Sequence, residues 1–138
     1  MEALTHLAET SALTRLKNPD VMSALLPLSK AGMLARCVMS DLEIGFGARN
    51  AKEWDTIHRA LRTFTSVEIL PQDFTRACGV QRALAESGLK GRKIPDLLIA
   101  AAAEREKLTL LHYDKDFDMI AEVTGQQCMW VVERGSID

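Results

Sequence analysis

None of the three cysteines, Cys37, Cys78 and Cys128, has a partner at the short spacing of a zinc site, and three widely separated thiols do not make a disulfide framework. They read as small buried hydrophobes. His6, His58 and His112 likewise share no ligand spacing, so His112 reads as a packed or solvent-facing residue. Long apolar runs are also missing. Met1 to Leu13 lacks the basic start and continuous apolar stretch of a secretory signal, and Leu97 to Ala103 is too short to span a bilayer. No membrane association is expected, and a cytoplasmic location is the default. There are no repeats, linkers or low-complexity segments, so the 138 residues suit a single domain, 1–138, with a full core.

A strong charge of either sign is absent too. The formal net charge is −2, which argues against a polyanionic partner if charge is spread evenly, because phosphate binding depends on lysine and arginine. The distribution matters more than the sum. Setting aside five of the 19 acids (Glu9, Glu43, Asp96, Asp114 and Asp116) leaves 14 against 17 basic residues, a weakly basic surface around an acidic hole.

What is present is a regular exchange of short apolar runs and helical patterns. Leu4 to Ala8 reads as a strand, closed by Glu9-Thr10-Ser11, where Thr10 or Ser11 can cap a short helix from Ala12 to Leu16. Asn18-Pro19-Asp20 opens a second helix that ends at Gly32. Met33 to Met39 is a second strand, Ser40 caps a helix carrying Asp41 and Glu43, and Gly45 and Gly47 within it mark a close approach of another element. Ala51 to Phe64 is amphipathic, Val67 to Leu70 a third strand, and Asp73 to Ser87 a helix stopped by Gly88. Asp96 opens an almost wholly apolar helix through Ala103. Thr109 to Leu111, Phe117 to Val123 and Met129 to Val132 then read as strand, helix and edge strand.

Helix-then-strand units imply parallel strands, and in an open α/β sheet ligands gather beyond the carboxyl ends of the strands where the order reverses. Asp114 sits at such an end, Asp96 at the start of the preceding helix, Glu9 after the first strand and Glu43 in the third helix. Convergence of these acids would raise some of their pKa values unless a cation were present, and hard oxygen donors suit Mg²⁺ or Mn²⁺ rather than zinc.

The motifs behind these acids resemble those of a known family. Leu-Ala-Glu9-Thr10-Ser11-Ala12-Leu13 is similar to the opening strand motif of PIN-domain ribonucleases, normally Asp-Thr-Ser-Ala. Glu43 in Ser-Asp-Leu-Glu-Ile-Gly-Phe-Gly-Ala, Asp96 in Ile-Pro-Asp-Leu-Leu-Ile-Ala-Ala and Asp114 in His-Tyr-Asp-Lys-Asp-Phe-Asp match the later acidic motifs in order, across essentially the whole chain. The resemblance is greatest to the VapC toxins of bacterial toxin–antitoxin pairs. It implies a three-layer α/β/α sandwich with a mainly parallel sheet of four or five strands, often a homodimer. It also implies Mg²⁺- or Mn²⁺-dependent cleavage of RNA, silenced by a cognate antitoxin.

Carried over residue by residue, the resemblance makes Glu9, Asp96 and Asp114 direct or water-mediated metal ligands. Asp116 assists at the metal, and Glu43 orients water as a possible general base. Asp118 reads as a solvated helix residue. Thr10 and Ser11 are expected to hydrogen-bond the ligand carboxylates. Arg15, Lys90, Arg92, Lys93 and Arg49 are candidate phosphate contacts. Glu9 departs from the family's aspartate by one methylene, which raises a second reading: a PIN-like module that binds antitoxin or RNA without efficient cleavage. Trp54, Phe46, Ile57 and Leu61 could line a groove for a partner helix, although core packing is the more ordinary role. A phosphoacceptor or phosphatase site also uses clustered aspartates with Mg²⁺, but Glu stands where its nucleophilic Asp would be.

Overall fold

The computed structural model describes residues 3–89 and 93–138. Five short strands form one parallel sheet: β1 (His6–Ala8), β2 (Leu34–Cys37), β3 (Thr65–Val67), β4 (Thr109–His112) and β5 (Cys128–Trp130), in the order β3-β2-β1-β4-β5. Leu7 of β1 pairs with Ala35 on one side and Leu110 on the other. The chain therefore builds outward from β1 in one direction, returns, and builds outward in the other. The order reverses between β1 and β4, and their carboxyl ends form the crevice at which such sheets bind ligands.

Helices cover both faces because side chains alternate along each strand. Leu7, Ala35, Cys37, Val67 and Leu110 face α5 (Pro71–Glu86), α6 (Ile94–Arg105) and α7 (Asp116–Thr124) in one cluster. Ala8, Leu34 and Leu111 face α1 (Thr10–Leu13), α2 (Pro19–Lys30) and α4 (Ala51–Leu61) in the other. The result is the α/β/α sandwich implied by the sequence, with five strands. α6 is buried from Asp96 to Ala103, which explains why its sequence is apolar on all sides rather than on one stripe. Among the described residues no helix is long and apolar enough to cross a membrane.

Several boundaries differ from those read in the sequence, each for a local reason. β3 is Thr65–Val67 rather than Val67–Leu70, since the register that fits β2 pairs Ala35 with Thr65 and Cys37 with Val67. The chain then turns at once into α5, whose start is fixed by Asp73: its Oδ2 accepts from the Leu70 N–H at 2.8 Å. Asp73 is buried, and Arg105 of α6 neutralises it at 3.0 Å. α3 (Val38–Gly45) begins directly after β2, which places Ser40 inside the helix rather than at its cap. Asn18 does cap α2, accepting from Asp20 N–H at 2.9 Å, and Gly32 and Gly88 end their helices at φ near +72°, where a side chain would be strained. Cys37 is buried, but Cys78 is exposed on α5, contrary to the expectation for all three thiols.

α3 carries two acids with different destinations. Asp41 turns back to the buried Arg36 of β2, with contacts of 2.8 and 3.1 Å, while Arg36 also donates to the Phe64 carbonyl. Glu43 turns toward the crevice. Between them and α4 lies Gly45, where the anticipated close approach is real: a β-carbon there would lie 2.8 Å from His58 Nε2 and 3.0 Å from Trp54 Nε1. Those two rings are stacked with centroids 3.6 Å apart, so displacing either one disturbs the stack.

Alanine at position 45 would gain about 1 kcal/mol of helix propensity but overpack this contact at about 1–3 kcal/mol. Gly45→Ala is expected to lower the unfolding free energy by about 1 kcal/mol in urea titrations, and an unchanged or higher midpoint would show that the ring pair yields freely.

Candidate metal centre

The acids that the sequence scatters over more than a hundred positions meet at the carboxyl ends of β1 and β4. Glu9 follows β1 and caps α1 itself, in place of Thr10 or Ser11. Its Oε1 accepts from the Ser11 N–H at 2.8 Å and from the Ser11 hydroxyl. Ser11 in turn accepts from the Tyr113 N–H at 2.7 Å, and the Glu9 N–H donates to the Leu111 carbonyl at 2.9 Å. The loops leaving the two central strands are thus tied together through one hydroxyl.

Thr10, one residue on, points to α3. Its hydroxyl donates to Glu43 Oε1 at 2.7 Å and lies 2.7 Å from the Ser40 hydroxyl. A hydroxyl has one proton, so with Thr10 donating to the carboxylate, Ser40 is the donor to Thr10. Ser40 is fully buried, and its part in this relay was hidden in the sequence because its type and position read as a helix cap.

Asp96 lies in the first turn of α6, with Pro95 before it, and Asp114 and Asp116 bracket the start of α7. The Asp116 N–H donates to Asp114 Oδ1 at 2.9 Å, and the Asp114 N–H to His112 Nδ1 at 3.2 Å. Asp96, Asp114 and Asp116 each offer an oxygen such that all three lie within 4.8 Å of one another. Asp96 Oδ2 is buried and finds no hydrogen-bond partner among the described residues. An aspartate with a buried oxygen lacking a donor and two further carboxylates within ion-sharing distance is the arrangement a hard divalent cation satisfies. Glu9 falls outside that group of three, and Glu43 stands beside it on α3.

Electrostatics agree with the geometry. Burial pushes the Asp96 carboxyl up to about 7, helped by repulsion from Asp114 and Glu43 and opposed by Lys93. Burial likewise pushes Glu9 up to about 7 against the two Ser11 hydrogen bonds, with Asp96 and Glu43 adding repulsion. His112 is fully enclosed between Phe117 and Trp130, with ring centroids 5.2 and 5.1 Å away, and burial lowers it to about 4. It is neutral near pH 7. Since Nδ1 accepts from Asp114, the ring proton is on Nε2, 3.9 Å from Asp118 Oδ1. His112 is a packed residue, as read from the sequence, and it also fixes the backbone that presents Asp114.

The basic candidates divide. Lys90 and Arg92 lie outside the described residues. Lys93 is exposed at the start of α6, Arg15 is half-buried beside the crevice, and Arg49 is exposed and paired with Glu53 at 2.9 Å. Asp118 is exposed but accepts from Trp130 Nε1 at 3.1 Å.

A five-stranded parallel sheet with this crevice and four acidic motifs in this order defines a class, and the comparisons agree. The profile described as "PIN domain" matches residues 7–123. This chain belongs to the PIN-domain family. Within it, Ribonuclease VapC51 of Mycobacterium tuberculosis (strain ATCC 25618 / H37Rv) is 51% identical over 136 residues, 99% of each chain. Ribonuclease VapC21 of the same strain is 39% identical over 137 residues, covering 95% of this chain and 96% of the relative. Among solved structures, VapBC2 from Rickettsia felis bound to a DNA fragment from its promoter superposes with a TM-score of 0.76 over 91% of this chain and 98% of that one. At 16% identity that likeness speaks for the fold.

The raised Asp96 value has a definite sign. Below about pH 4 the carboxyl is protonated whether the chain is folded or not. Between about 4 and 7 only the unfolded chain ionises it, so this group's contribution to stability is lost as pH rises and stays lost above 7. In metal-free buffer Asp96→Asn is therefore expected to match the parent near pH 4 and to exceed it by roughly 2–4 kcal/mol at pH 8. Denaturation at the two pH values reads this difference, and a constant offset between the proteins would refute the assignment.

Proposed function

We propose that this protein is a Mg²⁺- or Mn²⁺-dependent endoribonuclease, a VapC-type toxin acting in the cytoplasm and held silent by a cognate antitoxin. The observation that carries the reading is the set of three mutually close carboxylates, Asp96, Asp114 and Asp116, with Asp96 Oδ2 buried and unpartnered. Relatives named as ribonucleases, aligned over nearly the whole chain, supply the substrate class.

In this reading Asp96, Asp114 and Asp116 hold the ion, which when bound supplies positive charge against the phosphate and lowers the pKa of water. Glu43, fixed at Oε1 by Thr10, leaves its other oxygen to orient the attacking water and take its proton. Glu9, tied through Oε1 to Ser11, adds negative charge beside Asp96 and Glu43. Arg15 and Lys93, together with the sequence candidates Lys90 and Arg92, contact the phosphates of the strand.

The antitoxin reading is supported by toxin–antitoxin complexes among the structural neighbours and by an exposed apolar face on this chain. Leu42 on α3 is 71% exposed, Phe46 at the C-cap of α3 92% and Trp54 on α4 45%. Of the four residues considered for a partner groove, Phe46 and Trp54 are thus surface residues, whereas Leu61 belongs to the core. A homodimer would use other apolar surface, such as Phe74 and Ile94 on α5 and α6, which are 55% and 65% exposed.

A second reading, a module that binds without efficient cleavage, draws on one observation: the Glu9 carboxylate is committed to Ser11 and stands outside the group of three. One experiment separates the two. Antitoxin-free protein is incubated with total RNA and Mg²⁺ or Mn²⁺ beside Asp96→Ala and Glu9→Asp. Cleavage by the parent, lost by at least about 10²-fold in Asp96→Ala, is the expected result. Cleavage by Glu9→Asp alone would establish the weakened module instead, and cleavage undiminished in Asp96→Ala would remove the metal centre from the chemistry. Phe46→Ser is expected to weaken antitoxin binding about tenfold or more in titration calorimetry while leaving RNA cleavage by the free protein unchanged.

A further inference from the structure

Beside the acidic crevice, and sharing Asp114 as a wall, lies an open cleft of about 370 Å³ whose other walls are mostly cationic and aromatic. Arg15 comes from the chain after α1, Tyr113 and Lys115 flank Asp114, and Trp130 ends β5 next to Arg134. The two rings meet edge to face at 5.3 Å. The Arg15 guanidinium lies 4.9 Å from the centre of the Tyr113 ring, and that of Arg134 lies 5.3 Å from the centre of the Trp130 ring. Neither Lys115 nor Arg134 forms an ion pair among the described residues. Arg15 has one, to the carboxylate of Asp138 at 2.6 Å, both side chains being partly exposed. The last residues reach that position because Tyr113 Oη donates to the Ile137 carbonyl at 2.7 Å and accepts from the Gly135 and Ile137 N–H groups.

We propose that this cleft is a nucleotide subsite, resting on the endoribonuclease reading: it takes the phosphate and base of the RNA residue adjoining the bond that is cut. Three cations around one carboxylate-bordered cleft match a phosphodiester, and Asp138 occupies Arg15 in the geometry a phosphate oxygen would use. Trp130 and Tyr113 supply ring surface for a base, and such stacking tolerates any base, so the subsite fixes the strand's path more than its sequence. An acidic peptide would satisfy the cations but would leave the aromatic walls without a matching π face. Asp138 is then a competitor that RNA displaces from Arg15.

The test uses full-length protein free of antitoxin in an Asp96→Asn background, with short fluorescein-labelled oligo(A) and oligo(U) followed by anisotropy over a range of salt. Lys115→Ala combined with Arg134→Ala is expected to weaken binding about tenfold and to flatten the salt dependence by about 0.7 for each phosphate no longer neutralised. Both residues are exposed, so folding is not at stake. Asp138→Ala is expected to tighten binding several-fold by releasing Arg15. Arg82→Ala combined with Lys52→Ala, two exposed residues of α5 and α4 outside the cleft lining, controls for the loss of two positive charges. In the cleavage-competent parent the double variant raises KM. A double variant that binds and cleaves like a parent shown to do both overturns the subsite and leaves the nuclease reading intact. The same holds if its loss only equals that of the Arg82→Ala, Lys52→Ala control. A parent that neither binds nor cleaves RNA with either metal overturns both.

Discussion

Carboxylates crowded into a water-poor crevice are the constraint around which this fold is arranged. Glu9 and Asp96 are each only 3% exposed and are pushed up to about 7, a position that folding alone would not favour. The surrounding structure holds them there. β1 and β4 are hydrogen-bonded neighbours packed between two apolar layers, and α6 is enclosed along nearly its whole length, so the residues that open it cannot retreat into solvent. Stability generated by the core is partly given up at the crevice, where a divalent cation would restore it.

The layer behind the acids is made of short hydroxyl side chains rather than further charges. Ser11 joins Glu9 to the β4 exit, and Ser40 and Thr10 form a relay ending on Glu43. A hydroxyl can satisfy a carboxylate without adding or cancelling net charge, so the acids are oriented while the negative potential that attracts a cation is kept. Had lysine or arginine filled these positions, ion pairs like Arg36–Asp41 and Arg105–Asp73 would have formed, and much of the crevice's negative charge would be cancelled.

Much of this was legible in the sequence because the strongest signals were local. The apolar run after Asp96, the Asn18-Pro19 helix start and the glycine stops each depend on neighbours a few residues away, and all three appear where expected. The order of the acidic motifs gave the family, and through it the sheet. Less legible were features decided by distant partners. β3 lies just before the Ile-Leu run that looked most like a strand, because its register is set by β2 and Leu70 is taken by the Asp73 hydrogen bond. Charge and position alone do not distinguish Asp41, which neutralises Arg36, from Glu43, and only the motif around Glu43 pointed to it. The cleft at Tyr113 was invisible for the same reason: Arg15 and Asp138 are 123 positions apart and meet only once the sheet is complete.

The place of β1 between β2 and β4 also bears on the order in which the molecule can be made. The first strand synthesised has one edge capped early, by β2, but its other edge stays open until residues near 109 have left the ribosome. Two of the three clustered aspartates follow that same late strand. A nascent chain interrupted before β4 therefore has neither a closed sheet nor an assembled acidic crevice, and strand closure over so long a separation is slow compared with local helix formation. Topology alone delays assembly of the acidic crevice until β4 and the residues just after it have been made.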